Sequence, residues 1–409
     1  MYPKSIHGIW QSKGYGYVIH ISRWLVTLYE VTEISCLRTT RLPASRWLLG
    51  MVGFKLQMGT TEDDLVILVD KTDRIELVRI HELPTRSDPK RYRDPNFNYE
   101  VFWHIFHEHY AFFDLYDVDW NQQMATYRPL ISADTDDAEL FQLMCQSAEG
   151  LNDGHVSLVR DEERFSPYVR VPWFQQIGTF RQSIFDHYVQ GEIQHTRLTG
   201  ISYGWLTDNI GYIHLHSMQT KPRLGQSEDQ PAAQAMQQVD QSLSTATHIV
   251  IDVRFNPGGS DSVSLAIAAA FTSTKTLAFT KSTRIDSTYS TPHELYIEPQ
   301  GEALFEQPVY LLTSRRTASA AEIFTLAMRE LPQVTVVGER TGGGLSDVLS
   351  RELPNGWEIG LSNQRYLSVD GALYEGVGVP VDVDVPLDAE AFVDGQDVIL
   401  ETAIQLANA

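Results

Sequence analysis

Four short segments of the sequence combine residue types that could do chemistry. The first is Thr317-Ala-Ser319-Ala-Ala-Glu322-Ile-Phe, which follows the strand-like run Val309-Tyr-Leu-Leu-Thr. A serine at such a strand-to-helix junction stands where backbone N–H groups are unpaired and the helix dipole is positive. An oxyanion forming beside Ser319 would accept the N–H of Ala320. The Ser-x-x-Glu spacing is also a capping box, a purely structural device, and from this motif alone the cap is the preferred reading. The second segment is Asp252-Val-Arg254-Phe-Asn256-Pro-Gly258-Gly259-Ser. Paired glycines allow close backbone approach and present N–H groups as an anion-binding concavity. It is not a phosphate loop, because no Gly-Lys-Ser/Thr follows. Taken alone it is a tight turn in which Asp252 and Arg254 are structural. The third is Leu151-Asn-Asp153-Gly154-His155-Val-Ser157, where a histidine follows the turn that ends a helix. The fourth, Tyr374-Glu375-Gly-Val-Gly378-Val-Pro380-Val-Asp382, is a loop displaying one carboxylate. Singly, the last two read as an ordinary turn histidine and a solvated turn.

Their joint order carries more than any one of them. Helix–turn–His155, strand–Gly258-Gly259, strand–Ser319–helix and Glu375-Gly-Val-Gly together resemble the C-terminal processing (tail-specific) peptidase family. That family includes the tricorn core protease and the repeats of interphotoreceptor retinoid-binding protein. The resemblance covers roughly residues 96–390. It implies an α/β core of crotonase/ClpP-like type, built from β-β-α units. Many members activate the serine with a lysine about 25 residues downstream. Here that stretch reads Gly338-Glu-Arg-Thr-Gly-Gly-Gly344-Leu, and no lysine follows Lys281. The tricorn-like branch uses histidine and glutamate instead. The resemblance therefore implies Ser319 as nucleophile, His155 as general base and Glu375 as orienting carboxylate. Ala320 with Gly258 or Gly259 would supply the oxyanion donors. The residue types suit this chemistry. A serine hydroxyl needs a base near neutral pKa to take its proton, and a carboxylate fixes the imidazole tautomer. Two departures stand out. Gly154 occupies the place of a tricorn serine next to the histidine, which leaves Glu375 to reach His155 directly, through water or through Ser157. About 43 residues separate His155 from Thr199, too few for the PDZ domain many members insert.

The elements that must position these residues follow from hydrophobic periodicity. Alternation and β-branched runs predict strands within 14–21, 24–32, 50–58, 64–70 and 74–80, hence a small N-terminal β-barrel or meander over 1–90. Pro84 to Pro95 reads as a linker. The period changes at Asn96. Phe102, Phe106, Tyr110 and Phe113 recur at helical spacing through 99–116, and 138–149 is a second amphipathic helix. From about 198 onward strands and helices alternate: strands at 210–216, 247–253, 308–313 and 334–337, helices at 231–244, 262–271 and 318–331. Such alternation implies right-handed crossovers and a mostly parallel sheet. The stretch 345–367 reads as hairpins, with Pro354-Asn-Gly as one turn. The expected division is 1–90, an N-terminal β domain; 96–165, a helical segment carrying the base; and 166–409, the α/β catalytic core.

Composition bounds the rest. The 409 residues are 43% hydrophobic and 21% charged, close to the globular average. The net charge of −21 repels phosphate backbones and anionic membrane, so nucleic acid is not an expected partner. Two cysteines, Cys36 and Cys145, are too few for a disulfide framework, although a single pair between them stays open. No apolar run approaches 18 residues, and the N-terminus lacks the pattern of a signal peptide. The expected compartment is cytoplasmic, or periplasmic or secreted if a leader has been trimmed. Two decoys are set aside. Gly200-Ile-Ser202-Tyr-Gly204 matches the nucleophile-elbow pattern but leads into a strand, not a helix. His104, His107 and His109 lack the zincin spacing, and position 111 is alanine. No metal or organic cofactor is implied. The expected function is a serine peptidase that cuts peptide or protein tails through an acyl-enzyme. The alternatives are a catalytically silent protein of the same fold that binds an apolar ligand, and a crotonase-type enzyme acting on acyl thioesters.

Overall fold

In the computed structural model, residues 4–45, 50, 53–69 and 71–409 are described. The chain divides into two compact units. The first comprises 1–169, 282–292 and 346–365; the second comprises 170–281, 293–345 and 366–409.

The first unit opens with seven antiparallel strands: β1 (Gly8–Ser12), β2 (Tyr17–Ile21), β3 (Leu25–Val31), β4 (Cys36–Pro43), β5 (Phe54–Met58), β6 (Asp64–Val69) and β7 (Asp73–Ile80). Their order is β4-β3-β2-β1-β7-β6-β5, an open path that no pairing of β4 with β5 closes among the described residues. Five of the expected strands are present. β1 and β4 escaped sequence reading because Gly8-Ile-Trp-Gln-Ser is short and Arg38-Thr-Thr-Arg-Leu is mostly exposed. Parts of the expected 50–58 and 64–70 runs lie outside the described residues. Alternation works where one face is buried: Trp10, Ile19, Ile21, Leu65, Ile67 and Leu77 form the inner cluster.

Helix α1 (Pro95–His109) begins four residues before the expected 99, at the end of the stretch read as a linker, because a cap precedes it. The Asp94 side chain accepts the Asn96 N–H at 3.0 Å, and Pro95 occupies the first turn. Its Phe102 and Phe106 stripe packs on Trp120, with centroids 5.7 and 5.0 Å away. The helix ends at His109, well short of the expected 116, because Tyr110 turns extended (ψ 127°). The aromatic spacing continues past the end because Tyr110 and Phe113 still pack together, at 4.8 Å, on irregular backbone. Helices α2 (Trp120–Tyr127) and α3 (Asp137–Ala148) follow. Strands β8 (Ser157–Arg160) and β9 (Glu163–Phe165) then join the later hairpin β19 (Val348–Glu352) and β20 (Glu358–Ser362) in the order β19-β20-β8-β9. The Pro354-Asn-Gly turn closes that hairpin, Gly356 having φ +92°.

The second unit contains α4 (Ile177–His187), β10 (Gln190–His195), β11 (Thr199–Trp205), β12 (Ile210–Thr220), α5 (Asp229–Leu243), β13 (His248–Asp252) and α6 (Asp261–Ala268). β14 (Thr276–Ile285) begins in this unit, while its residues from 282 and β15 (Thr288–Tyr289) belong to the first; β16 (His293–Ile297), β17 (Val309–Thr313), α7 (Ala320–Arg329) and β18 (Val334–Gly338) follow in the second. Past β21 (Gln364–Leu367) the chain ends with β22 (Val383–Asp384), α8 (Ala389–Val393) and α9 (Val398–Ala407). One seven-stranded sheet runs β10-β11-β12-β13-β17-β18-β22. From β12 to β22 every neighbouring pair is parallel, and β10 and β11 add an antiparallel edge. The parallel strands are apolar on both faces, since helices cover both. Ile249, Ile251, Leu311 and Val336 face one cluster, and Tyr212, Val250, Leu312 and Val337 face the other.

A buried ion triad braces this sheet. Arg254 donates to Asp252 at 2.7 and 3.0 Å and to Asp397 at 2.6 Å. Burial alone would raise the Asp252 carboxyl, but the guanidinium against it overrides this and holds it at about 2. Both cysteines are free thiols. Among the described residues no helix is long and apolar enough to cross a membrane.

Candidate active site

Ser319 stands at the turn between β17 and α7, with φ 56° and ψ −131°. A left-handed backbone at a non-glycine residue costs about 1–3 kcal/mol and persists only where the surroundings impose it. The imposing bonds are visible. The Ser319 N–H donates to the Gly344 carbonyl at 2.9 Å and to the Glu322 carboxylate at 3.0 Å. Ser319 and Glu322 form a capping box, and the Glu322 N–H also donates to the Ser319 carbonyl at 2.7 Å.

Glu322 is fully buried and collects four donors. Besides Ser319 these are the Thr341 hydroxyl at 2.5 Å, the Gly343 N–H at 2.7 Å and the Gly344 N–H at 2.8 Å. Burial pushes its carboxyl up to about 7, against the pull of those donors. Sequence reading treated Glu322 as a cap alone. Its hold on residues 341–344, some twenty positions away, has no local signature.

The segment 338–345, which holds no lysine, ties two of the candidate residues together. Gly344 gives its carbonyl to Ser319, and the next residue, Leu345, donates its N–H to Glu375 Oε2 at 2.9 Å. Glu375 is buried, at 1% exposure. Its loop is zipped to 341–344: Gly376 N–H donates to the Gly343 carbonyl at 2.7 Å, and a Cβ on Gly378 would lie 2.1 Å from the Thr341 carbonyl oxygen. Two successive residues thus tie the serine and the carboxylate to one strip of backbone.

Gly258 packs directly on the Ser319 turn. A Cβ built there would stand 2.6 Å from Ser319 Cβ and 3.0 Å from Ala320 N, and its φ is +103°. Only glycine fits. Its N–H, however, is donated to Asn256 Oδ1 at 2.8 Å. This corrects the expectation for Gly258: it contributes close approach rather than an oxyanion bond. The turn is held to β12, with Met218 N–H on the Gly258 carbonyl at 2.9 Å and Ser260 N–H on the Met218 carbonyl at 2.8 Å. The N–H groups of Gly259 and Ala320 have no hydrogen-bond partner among the described residues.

His155 belongs to the first unit. A short turn, Glu149–Leu151, ends in left-handed Asn152 (φ 39°), and the chain reverses into β8. Asp153, almost fully buried, accepts the His155 N–H on Oδ1 at 2.8 Å and the Tyr110 hydroxyl on Oδ2 at 3.0 Å. Tyr110 is the residue at which α1 ends, so the early stop of that helix serves the histidine turn. The histidine is half-buried, and its Nδ1 has no hydrogen-bond partner among the described residues. On the other side, Gly360 in β20 approaches so closely that a Cβ would lie 3.0 Å from the His155 carbonyl oxygen.

The decoys take structural places. Ser202 is buried within β11, its Oγ 2.7 Å from His195 Nδ1. His107 stacks on Trp103 at 4.4 Å, and His104 pairs with Glu108 at 3.1 Å.

Residues 209–385 match the sequence model of Peptidase family S41, and residues 91–146 match that of the Tricorn protease C1 domain. The carboxyl-terminal-processing protease of Picosynechococcus sp. is 29% identical over 163 residues, 39% of this chain and 35% of that protein. Its counterpart from Synechocystis sp. is 28% identical over 159 residues, 39% and 34% of the two chains. The chain thus spans about a third of the length of the curated relatives it matches. Among solved structures, a candidate peptidase of Parabacteroides merdae is similar at a TM-score of 0.67 and 29% identity, over 77% of this chain and 97% of that one. Mature CPAF complexed with lactacystin reaches 0.57 over the same shares, at 12% identity, a likeness of fold alone.

Proposed function

We propose that this chain, which carries a Peptidase family S41 segment and a Tricorn protease C1 segment, is a serine peptidase that cleaves peptide bonds, at protein or peptide tails, through an acyl-enzyme. Ser319 Oγ is the nucleophile. His155 takes its proton and returns it to the leaving amine, and Glu375 orients the imidazole and stabilises the imidazolium. The N–H groups of Ala320 and Gly259 receive the oxyanion of the tetrahedral intermediate. Each such donor contributes about 3–4 kcal/mol to lowering the barrier. No metal or organic cofactor enters this scheme.

The observation that carries the reading is the backbone of Ser319. It is held in a left-handed conformation by two hydrogen bonds from its N–H, with a glycine at contact distance. Strain of this kind at a strand–turn–helix junction supports a nucleophile, because a cap needs none of it. The alternative of a silent apolar-ligand binder has no observation in its favour, since the named relatives are proteases.

The succession β13–α6 and β17–α7 over a parallel sheet supports a core of crotonase/ClpP-like type. For the division into 1–90, 96–165 and 166–409, the supporting observation is that the two matches, 91–146 and 209–385, fall largely in its last two parts, although the compact units divide the chain near 170 and keep 1–169 together. The direct test is a fluorophosphonate probe followed by intact-mass measurement. A single adduct is expected on the parent chain and none on Ser319→Ala. Folded parent chain without an adduct would remove the assignment.

A further inference from the structure

Arg351 in β19 is a buried cation with one edge unused. The residue is 3% exposed, and its guanidinium carbon lies 4.1 Å from the centroid of the Tyr17 ring. Nη1 donates to the Ser350 carbonyl at 3.2 Å. Nε and Nη2 are buried and have no hydrogen-bond partner among the described residues. Together they form the side of the guanidinium whose parallel N–H bonds match the two oxygens of a carboxylate. A buried charged edge without an acceptor is costly, because its desolvation is not repaid. The carboxylate that acts on it from within the chain leaves it unpaired. Glu30 lies within electrostatic reach, but its Oε2 accepts the Glu352 N–H at 3.0 Å, and it bonds to neither free nitrogen.

A second stranded polar side chain lies near the first. His109, the last residue of α1, is 5% exposed, and neither ring nitrogen has a hydrogen-bond partner among the described residues. Gly16 seats the ring, since a Cβ there would clash with Nε2. Burial, and then the charges of Arg351 and Arg284, hold the imidazole down to about 3. The ring is therefore neutral and keeps one N–H to donate. All of these residues belong to the first unit. Tyr17 and Ser350 also line an open groove of about 360 Å³, which brings solvent to within one side chain of the guanidinium. Asp73 and Asp347 share that groove and oppose a multiply charged anion, while the burial of the edge limits size. We infer that the Nε/Nη2 edge of Arg351, with the His109 imidazole near it, binds one small monovalent carboxylate of the formate or acetate class. Bound there, the anion ties β19 to the start of β2 and the end of α1. The inference does not depend on the peptidase reading, because Ser319, His155 and Glu375 take no part in it.

The test is equilibrium dialysis of the full chain against radiolabelled formate, with ionic strength held constant by sodium fluoride. We expect one formate per chain, with half-saturation at about the millimolar level, the worth of two charged hydrogen bonds. Chloride has the charge without the paired oxygens, so displacing formate should take about tenfold more of it. Arg351→Lys keeps the charge and loses the fork, and should weaken binding about tenfold or more. Glu30→Gln removes the competing carboxylate and should leave binding as tight or tighter. A thermal melt checks that each variant is folded, and the formate and chloride arms on the parent chain decide the matter even where a variant is not. No formate bound to the parent at about 10 mM, ten times the expected half-saturation, overturns the site. So do chloride competing as well as unlabelled formate, folded Arg351→Lys binding at the parent level, and loss of binding in folded Glu30→Gln.

Discussion

Gly258→Ala adds one methyl group at the tightest contact of the candidate site. The built Cβ lies 2.6 Å from Ser319 Cβ, 2.8 Å from the Ala318 carbonyl oxygen and 3.0 Å from Ala320 N. Carbon atoms prefer about 3.5–4.0 Å, so the two turns must separate by roughly an ångström. None of the three atoms is the far end of a flexible side chain, so backbone has to move. The φ of +103° adds strain of about 1–3 kcal/mol for any L side chain, and overpacking adds about 1–3 more. The expected destabilisation is therefore about 2–6 kcal/mol. Because the displaced atoms belong to Ser319, the proposed nucleophile, and Ala320, the proposed oxyanion donor, activity should fall further than stability does. A misplacement of about 1 Å costs on the order of 100-fold, and a lost oxyanion donor costs about 100- to 1000-fold. The assay measures kcat/KM on a fluorogenic peptide, the rate of fluorophosphonate labelling, and urea unfolding on the same samples. Gly356→Ala is the control. Its φ is +92°, with nothing within 4 Å of the built Cβ, so it shares the strain without the clash and should keep full labelling. If Gly258→Ala labels at the parent rate, or no more slowly than Gly356→Ala, the packing argument for the site fails.

Three further outcomes are expected. Glu375→Gln should lower kcat far more than it raises KM; an unchanged kcat moves the orienting role elsewhere, with Asp153 the nearest alternative in sequence to His155. The Glu322 carboxyl is raised from 4.5 to about 7 in the folded chain, so its contribution to stability is full below about pH 4.5 and is lost as pH rises through about 7. Urea unfolding across that window should show the parent losing about 3 kcal/mol relative to Glu322→Gln, and a pH-independent difference would refute the buried-carboxyl argument. Arg254→Met leaves Asp252 and Asp397 buried without their cation and should cost about 3–5 kcal/mol, read as a lowered unfolding midpoint; an unshifted midpoint would show that the triad is not what braces the sheet.

Local signals in the chain were enough for the elements that bear the candidate residues. Alternation acts over two to four residues, which is why β13, β17 and α7 lie close to their expected places, while the Asp94-Pro95 cap that starts α1 was read as linker. The order of the four motifs carries the resemblance from which Ser319, His155 and Glu375 are proposed. Long-range hydrogen bonding decided the rest. Gly344 holds the Ser319 N–H from 25 residues away, Leu345 holds Glu375 across 30, and Tyr110 holds Asp153 across 43. None of these bonds has a spacing rule, because each depends on how packed segments meet and not on the pitch of one element. The same holds for Gly258. A Gly-Gly turn is legible in sequence, but which of its N–H groups points at Asn256 and which stays available is set only when the turn closes on β12.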